Sequence, residues 1–404
     1  MLNPATNQPW FFQHVALGGA AGSGTFEAPF STVQDGLTAT RGDRNDIVYV
    51  QSGTNPGIPA FTIPANVQVL STGVTQQIQT VQQGLTTLPL SGSGVLPRVT
   101  GTITLGNSTT LAGFNITPPI GNVGILASGV QNITIRQNQV SVNGNETAGI
   151  RLQNVTGTAT IIGNTVATTG DSFLTLPIGA QGILVESNNA ALNQLTLTGN
   201  TVTTRGTDAY GILIYPNNNS SITTAAVLGN TVTTIGNFAH GIFIAPNNNS
   251  SIATATLSGN TVNSIGDFAD GIRVIPDNNS SITTATISGN TVRTTGANAN
   301  GIYTELRVGS SLPSLTLTNN QIPQSGFNNV LIANFGGQTL CASIRGNFAQ
   351  NPAGGGVNFD LLSGVAAFRV IDLPNLNTNN NGGTFRYDFV ALPTANYVNV
   401  PSCP

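Results

Sequence analysis

Five copies of a repeated segment place a different side chain immediately before the same glycine. In one copy this residue is His240, and thirty residues later it is Asp270. An imidazole and a carboxylate are the usual groups of general acid and base catalysis. If each repeat forms one coil of stacked strands, strand spacing places the two residues about 5 Å apart. The complete series is Gln181, Tyr210, His240, Asp270 and Asn300.

The positions after these glycines add aromatic, acidic and basic groups. Side chains alternate across a strand, so the second and fourth residues after each glycine point outward. Aromatic rings could stack on sugar rings, and carboxylates could bind hydroxyl groups or act as acid and base. The outward positions are Leu184, Leu213, Phe243, Arg273 and Tyr303, then Glu186, Tyr215, Ala245, Ile275 and Glu305.

These positions predict two sets of site residues. The predicted ligand-binding residues are Tyr210, Tyr215, Phe243, Asp270, Arg273 and Tyr303. If the protein is an enzyme, the predicted catalytic residues are Asp267, Asp270, His240 and Glu305. The alternative is a solvated polar face, because the residues before the glycines share no chemistry from one repeat to the next.

A thirty-residue period predicts the structural elements that carry these residues. Asn residues recur in register, and a period of this length is the signature of a solenoid built by stacking. Upstream, related segments follow at 26 to 36 residues, which indicates loop insertions such as residues 171–181. The Asn series is Asn200, Asn230, Asn260, Asn290 and Asn320.

Within a repeat, apolar and polar residues alternate with the period of a strand. The runs GIFIAP, ATLSG and TVNSIG predict three strands, with NNNSSIAT and DFAD as connecting loops. Coiled once around an axis, they predict an all-β, right-handed parallel β-helix with about thirty residues per coil. At the corner Gly259-Asn260, we expect Asn to take the left-handed conformation and to hydrogen-bond along the stack.

The chain divides into three predicted regions. Residues 1–60 contain a helix-like run, STVQDGLTAT, and a strand, IVYV, and form an N-terminal cap and first coil. Residues 61–340 form the coils, and residues 341–404 a small C-terminal β element. Cys341 and Cys403 predict a disulfide in this last region, and disulfides persist in oxidising compartments.

Composition argues against several function classes. Only 7% of residues are charged, lysine is absent, and the formal net charge is -3. Such a surface has no field to attract nucleic acid or an anionic membrane, and no apolar run is long enough to span a bilayer. No residue spacing indicates a metal site or a cofactor. Outward Thr and Ser ranks, such as Thr256 and Ser258, suggest ice or crystal-lattice binding as a minor alternative.

The chain resembles the pectin-lyase-like right-handed parallel β-helix superfamily. The specific marks are the repeated GI-x-I strand with N-T-V after the corner, and the opening residues 22–30, GSGTFEAPF, followed by TVQ, GD and IVYV. Residues 3–15, NPATNQPWFFQHV, also resemble the junction between a bacterial outer-membrane barrel and an extracellular, autotransporter-type β-helical passenger. The resemblance implies display outside the cell or at the outer membrane.

The resemblance also allows a comparison with the enzymes of this superfamily. Hydrolases of this superfamily carry clustered aspartates, and its lyases use a basic residue beside calcium-binding acids; here the acids are spread thinly and lysine is absent. We therefore expect a noncatalytic, adhesin-like module that presents a polar surface to a polysaccharide or cell-surface glycan. The alternative is a polysaccharide lyase or glycoside hydrolase.

Overall fold

Three long parallel sheets run along the molecule, and each central coil contributes one strand to each sheet. The structure, a computed structural model, describes residues 1–53, 56–92, 94–172, 179–336, 338, 340–364, 368–381, 383–388 and 396–403. Successive strands of a sheet are hydrogen-bonded to their equivalents one coil away, in parallel register. This is a parallel β-helix with about thirty residues per coil, so the predicted fold class is confirmed.

The sheets are named here in the order in which a coil enters them. Sheet 1 has the strands Phe61–Ile63, Ile103–Leu105, Ile125–Ser128, Ile150–Gln153, Ile183–Asn188, Ile212–Asn217, Ile242–Ile244, Ile272–Val274, Ile302–Leu306, Val330–Asn334, Phe359–Ser363 and Phe385–Tyr387. Sheet 2 has Phe11–Val15, Asp46–Val50, Val67–Ser71, Thr110–Ala112, Gln131–Arg136, Thr156–Ile162, Ala191–Thr198, Ser221–Leu228, Ser251–Ser258, Ser281–Ser288, Ser314–Thr318, Leu340–Arg345, Phe368–Ile371 and Tyr397–Val400.

Sheet 3 is the shortest of the three. Its strands are Arg98–Val99, Asn115–Ile116, Gln139–Val142, Thr165–Thr168, Thr201–Thr204, Thr231–Thr234, Thr261–Ser264, Thr291–Thr294, Gln321–Gln324 and Phe348–Ala349. A separate antiparallel hairpin joins Gln77–Thr80 to Gly84–Thr87.

The core is a continuous apolar column inside the coils. Inward positions such as Ile242, Leu257 and Val262 are buried in every repeat because period-two alternation sends them to one face of each strand. Full burial of one such side chain contributes about 1.5–3 kcal/mol. A single coil cannot close this column, so each coil depends on its neighbours for stability.

The corner between sheets 2 and 3 differs from the prediction in one detail. Gly259, not Asn260, has the left-handed backbone, with φ +64°. Asn260 instead uses its side chain: Nδ2 donates to Oδ1 of Asn290 (2.9 Å) and to the carbonyl of Val227 (2.8 Å). The predicted stacking of asparagine amides is therefore observed, but Asn was the wrong residue for the left-handed position.

A second difference concerns the segment NNNSSIAT. The sequence pattern makes all of it a loop, whereas the sheet 2 strand already begins at Ser251. Ile252 is buried in the core, and its register matches Ile222 and Ile282 one coil away on either side. Buried apolar contact thus overrides the turn propensity of the adjacent Asn and Ser residues.

Helix α1 (Val33–Thr38) covers the N-terminal end of the core, as the helix-like run predicts. Thr32 caps it by accepting the backbone N–H of Asp35 (3.1 Å), and Val33 and Leu37 are buried. The strands Phe11–Val15 and Asp46–Val50 already belong to sheet 2. The first sixty residues are therefore continuous with the solenoid that they cover.

The C-terminal region continues the same sheets. Its last strands extend sheets 1 and 2, and a 3-10 helix (Leu373–Asn375) and helix α2 (Leu376–Asn379) lie between them. Cys341 and Cys403 form the predicted disulfide, with Cα atoms 5.5 Å apart. Most of the predicted loop insertion at 171–181 lies outside the described residues. Among the described residues no helix has the length and apolar character needed to cross a membrane.

Candidate functional site

The candidate residues project from the outer face of sheet 1 across five coils. Strand register aligns Leu184, Leu213, Phe243, Arg273 and Tyr303 in one column. A second column, two residues further along, contains Glu186 and Tyr215. The inward neighbours Ile212 and Ile214 belong to the main core, which fixes the outward direction of the two columns.

Three of the five residues before the glycines, Gln181, His240 and Asp270, have a structural role that sequence analysis missed. Gln181 accepts the backbone N–H of Tyr210 through its side-chain oxygen (2.5 Å). His240 accepts the N–H of Asp270 through Nδ1 (3.0 Å), and Asp270 in turn accepts the N–H of Asn300 (2.9 Å). Side chains of different chemistry therefore satisfy the backbone of the next coil, because each offers one acceptor at the same place.

His240, Asp270 and Arg273 form a tight group on two adjacent coils. Nη1 of Arg273 lies 2.6 Å from Nε2 of His240 and 3.5 Å from a carboxylate oxygen of Asp270. The His240 Nδ1 to Asp270 Oδ2 distance is also 3.5 Å. The predicted proximity of His240 and Asp270 is thus present, and Arg273 completes the group.

Burial is the main cause of the pKa shifts of His240 and Asp270. Desolvation and the Arg273 guanidinium lower the pKa of His240 well below its ordinary value of 6.5. Nδ1 accepts the backbone N–H of Asp270, so a second proton on the ring would break this hydrogen bond. Desolvation raises the pKa of Asp270, although Arg273 and two hydrogen bonds from Asn300 act in the opposite direction.

The same burial limits what the group can do chemically. His240 is 3% exposed, and its ring is stacked on Tyr210 (5.2 Å between centroids) with Phe243 edge-on at 5.4 Å. A general base must reach the proton that it removes from a substrate. With one nitrogen occupied by a backbone amide and the other beside a guanidinium, the imidazole is placed to hold two coils together.

The other two predicted catalytic residues, Asp267 and Glu305, make their hydrogen bonds and ion pairs with residues outside this group. Asp267 is exposed in the preceding turn, where it accepts the backbone N–H of Ala297 (2.8 Å). Glu305 accepts the hydroxyl of Tyr303 (2.7 Å) and pairs with Arg307 at 3.2 Å. The described residues contain no group of three His, Cys, Asp or Glu side chains placed to hold a metal ion.

The predicted aromatic residues pack against one another. Tyr210, Tyr215 and Phe243 are only 6–7% exposed and form a second apolar cluster on the outer face, with Leu184, Leu213 and Ile275. Burial raises the pKa of Tyr210 to about 12. Little of these rings is therefore open to solvent, whereas the sequence interpretation expects accessible flat faces.

Arg273 and Tyr303 close one side of this cluster. The guanidinium carbon of Arg273 lies 5.2 Å from the Phe243 centroid and 5.1 Å from that of Tyr303, within the range of cation–π attraction. Burial, then Glu305, raises the pKa of Tyr303. All six predicted ligand-binding residues thus lie on one surface, and Arg273 connects the polar group to the aromatic cluster.

The most exposed aromatic rings near this surface were not predicted. Phe238 and Phe268 stack at 5.1 Å in the turns that lead into sheet 1, and each is about 45% exposed. Both have φ +56°, a left-handed conformation that is rare for a bulky residue. The sequence signal is the repeated Phe-Ala in NFAH and DFAD, which alternation alone does not place outward.

Two small cavities flank Tyr215 on the same face. One, of about 200 Å³, is lined by Arg151, Gln153, Asn154, Glu186, Ser187, Asn188, Tyr215 and Asn217. The other, of about 90 Å³, is lined by Tyr215, Phe243, Ala245, Pro246, Asn247, Ile275, Asp277 and Arg307. Arg151 follows Gly149 by two residues, so it occupies the same outward position as Phe243 after Gly241. This correspondence was the available sequence signal for it.

Comparison with protein-family models, curated proteins and solved structures finds no significant match to this chain.

Proposed function

We propose that the protein is a noncatalytic surface module that binds glycans through the outer face of sheet 1. The supporting observation is the state of the predicted catalytic residues: His240 and Asp270 are buried in mutual and backbone contacts, while Asp267 makes its hydrogen bonds with other residues. The same face has cavities lined by amide and hydroxyl groups. A surface of this kind can bind sugars without an accessible acid and base pair.

The proposed location is outside the cell, at a bacterial surface. The Cys341–Cys403 disulfide supports an oxidising compartment. The finer assignment, to the pectin-lyase-like superfamily and to an autotransporter-type passenger, rests on the repeated GI-x-I and N-T-V pattern and on the opening GSGTFEAPF. A stacked β-helix with few charges suits a long, protease-resistant stalk that presents one binding face.

The test measures binding and turnover on the same polysaccharide panel. We expect retention of the intact protein by at least one glycan, without release of reducing ends or unsaturated products. Tyr215→Ala should weaken retention, whereas Thr261→Ala, on the exposed side of sheet 3, should leave it unchanged. Depolymerisation that is lost in Asp270→Asn would establish the enzyme alternative instead. A panel without either binding or turnover would refute the proposed function.

A further inference from the structure

The larger cavity beside Tyr215 is a polar recess that contains a partly buried ion pair. Nε of Arg151 donates to Glu186 at 2.6 Å, and Glu186 is 7% exposed. The remaining lining is made of amides and one hydroxyl, from Gln153, Asn154, Ser187, Asn188 and Asn217. Amide groups both donate and accept hydrogen bonds, as sugar hydroxyl groups do.

The smaller cavity also contains Tyr215 and a paired arginine, but most of its lining is apolar. Its floor is apolar, with Phe243, Ala245 and Ile275, and a guanidinium stands at its edge. That guanidinium, of Arg307, donates to Asp277 at 2.8 Å and pairs with Glu305 at 3.2 Å. Both cavities are smaller than the roughly 300–1,000 Å³ of a typical small-molecule pocket. Each therefore suits one ring-sized unit of a longer ligand.

Tyr215 forms the wall that the two cavities share, and it is held in place. Its hydroxyl accepts a hydrogen bond from Nδ2 of Asn247 (2.8 Å), and its ring packs in the outer cluster. The larger cavity spans three coils, from Arg151 to Tyr215, and the smaller spans four, from Tyr215 to Arg307. Strands of successive coils are spaced at about 4.8 Å, so the two cavities follow one another along the helix axis. A ligand that fills both must run along this axis.

Charge restricts the class of ligand. The two guanidinium groups at the cavities, those of Arg151 and Arg307, face three carboxylates, those of Glu186, Asp277 and Glu305. An acidic polysaccharide would find both cations of the described lining already paired and an excess of negative charge beside them. An uncharged glycan is not repelled by these carboxylates, and its hydroxyl groups can hydrogen-bond with the amide and hydroxyl groups of the lining.

We infer that the two cavities bind an uncharged, linear glycan along the helix axis, with one sugar unit on each side of Tyr215. This inference rests on the proposed function, and it adds the ligand class, the direction of the chain and the central residue.

The experiment titrates neutral and acidic oligosaccharides of increasing length, at low and high salt, by calorimetry. We expect neutral oligomers to bind with an affinity that salt changes little, because no net charge is neutralised. Affinity should increase with length until both cavities are filled. Tyr215→Ala should weaken binding about tenfold, as truncation of a central aromatic contact does.

Two further variants distinguish a loss of binding from a loss of folding. Asn188→Ala removes an exposed cavity amide and should weaken binding several-fold without lowering the melting temperature, whereas Thr261→Ala should change neither. Tight, salt-sensitive binding of acidic glycans alone would overturn this inference and leave the proposed function standing. Binding of neutral glycans that Tyr215→Ala and Asn188→Ala both leave intact would also overturn it. Absence of binding to any glycan would overturn both.

Discussion

Two adjacent residues have different roles at each corner between sheets 2 and 3. The first, Gly259 in one coil, takes the left-handed backbone that a side chain disfavours. The second, Asn260, is fully buried and satisfies backbone groups of the neighbouring coils. Asn319 takes the glycine position in a later coil with φ +56°, so the site tolerates asparagine as well. The second position stays Asn in these coils because its side chain bonds to both neighbouring coils, whereas the first position needs only a residue that accepts the left-handed backbone.

His240 provides a prediction at the same scale. Its pKa in the folded state lies well below 6.5, so below about pH 6.5 the unfolded chain takes up a proton that the folded chain does not. The contribution of His240 to stability is therefore complete above that pH. As the pH falls toward the folded-state pKa, it should decrease by about 1.4 kcal/mol per pH unit.

The measurement is the free energy of unfolding of the wild-type protein and His240→Gln across about pH 7.5 to 5. Glutamine is the matched replacement, because Gln181 accepts the equivalent N–H in another coil. His14, whose pKa is also lowered, and Asp270, whose shift has the opposite sign, are present in both proteins. The difference between the two curves therefore isolates His240. Parallel curves would show that the ring takes up its proton as readily in the folded chain as in the unfolded chain, which would contradict the prediction.

At the scale of elements, short strands with strict alternation determine the fold. The sheet 3 strand Thr261–Ser264 alternates exposed and buried positions, and Val262 pairs in register with Val232 and Val292. Sheet 2 strands are longer because Ile252 adds an inward contact beyond the predicted start. Local sequence thus predicts the alternation better than it predicts strand ends, which depend on contacts between coils.

Val262→Asp should destabilise the protein by about 3 kcal/mol or more, since it buries a charge without a partner among the apolar residues of the core. Thr261→Ala, the adjacent outward position, should change stability by less than about 0.5 kcal/mol. Urea denaturation followed by circular dichroism compares the two variants. Equal effects would mean that the alternation assigned to this strand is wrong.

At the scale of the whole molecule, the two ends of the solenoid are stabilised by different elements. Helix α1 covers the first coils, and the Cys341–Cys403 disulfide ties the segment after the last sheet 2 strand to an earlier strand of that sheet. The bond encloses a segment with a sequence separation of 62 residues. Closing a loop of that length stabilises the folded chain by about 4 kcal/mol in the chain-entropy model.

Because each coil contacts mainly its neighbours, loss of this disulfide should destabilise only the coils near it. Cys403→Ser should increase amide hydrogen exchange in the strands Leu340–Arg345, Phe368–Ile371 and Tyr397–Val400, and leave the central coils unchanged. Reduction of the wild-type protein should have the same effect, and the variant should not respond to reductant. Uniform acceleration throughout the solenoid would indicate that the molecule unfolds as a single unit.

The sequence by itself determined the coil length, the three strands, the inward residues and the disulfide, because each follows from a short period or from the only two cysteines. It also identified the face on which His240, Asp270, Arg273 and Tyr215 lie. Only the tertiary structure decided how accessible these side chains are, since burial depends on neighbours about thirty residues away. Outward-pointing rings cover one another, and Arg151 and Glu186 meet across coils to form a cavity that no single repeat contains.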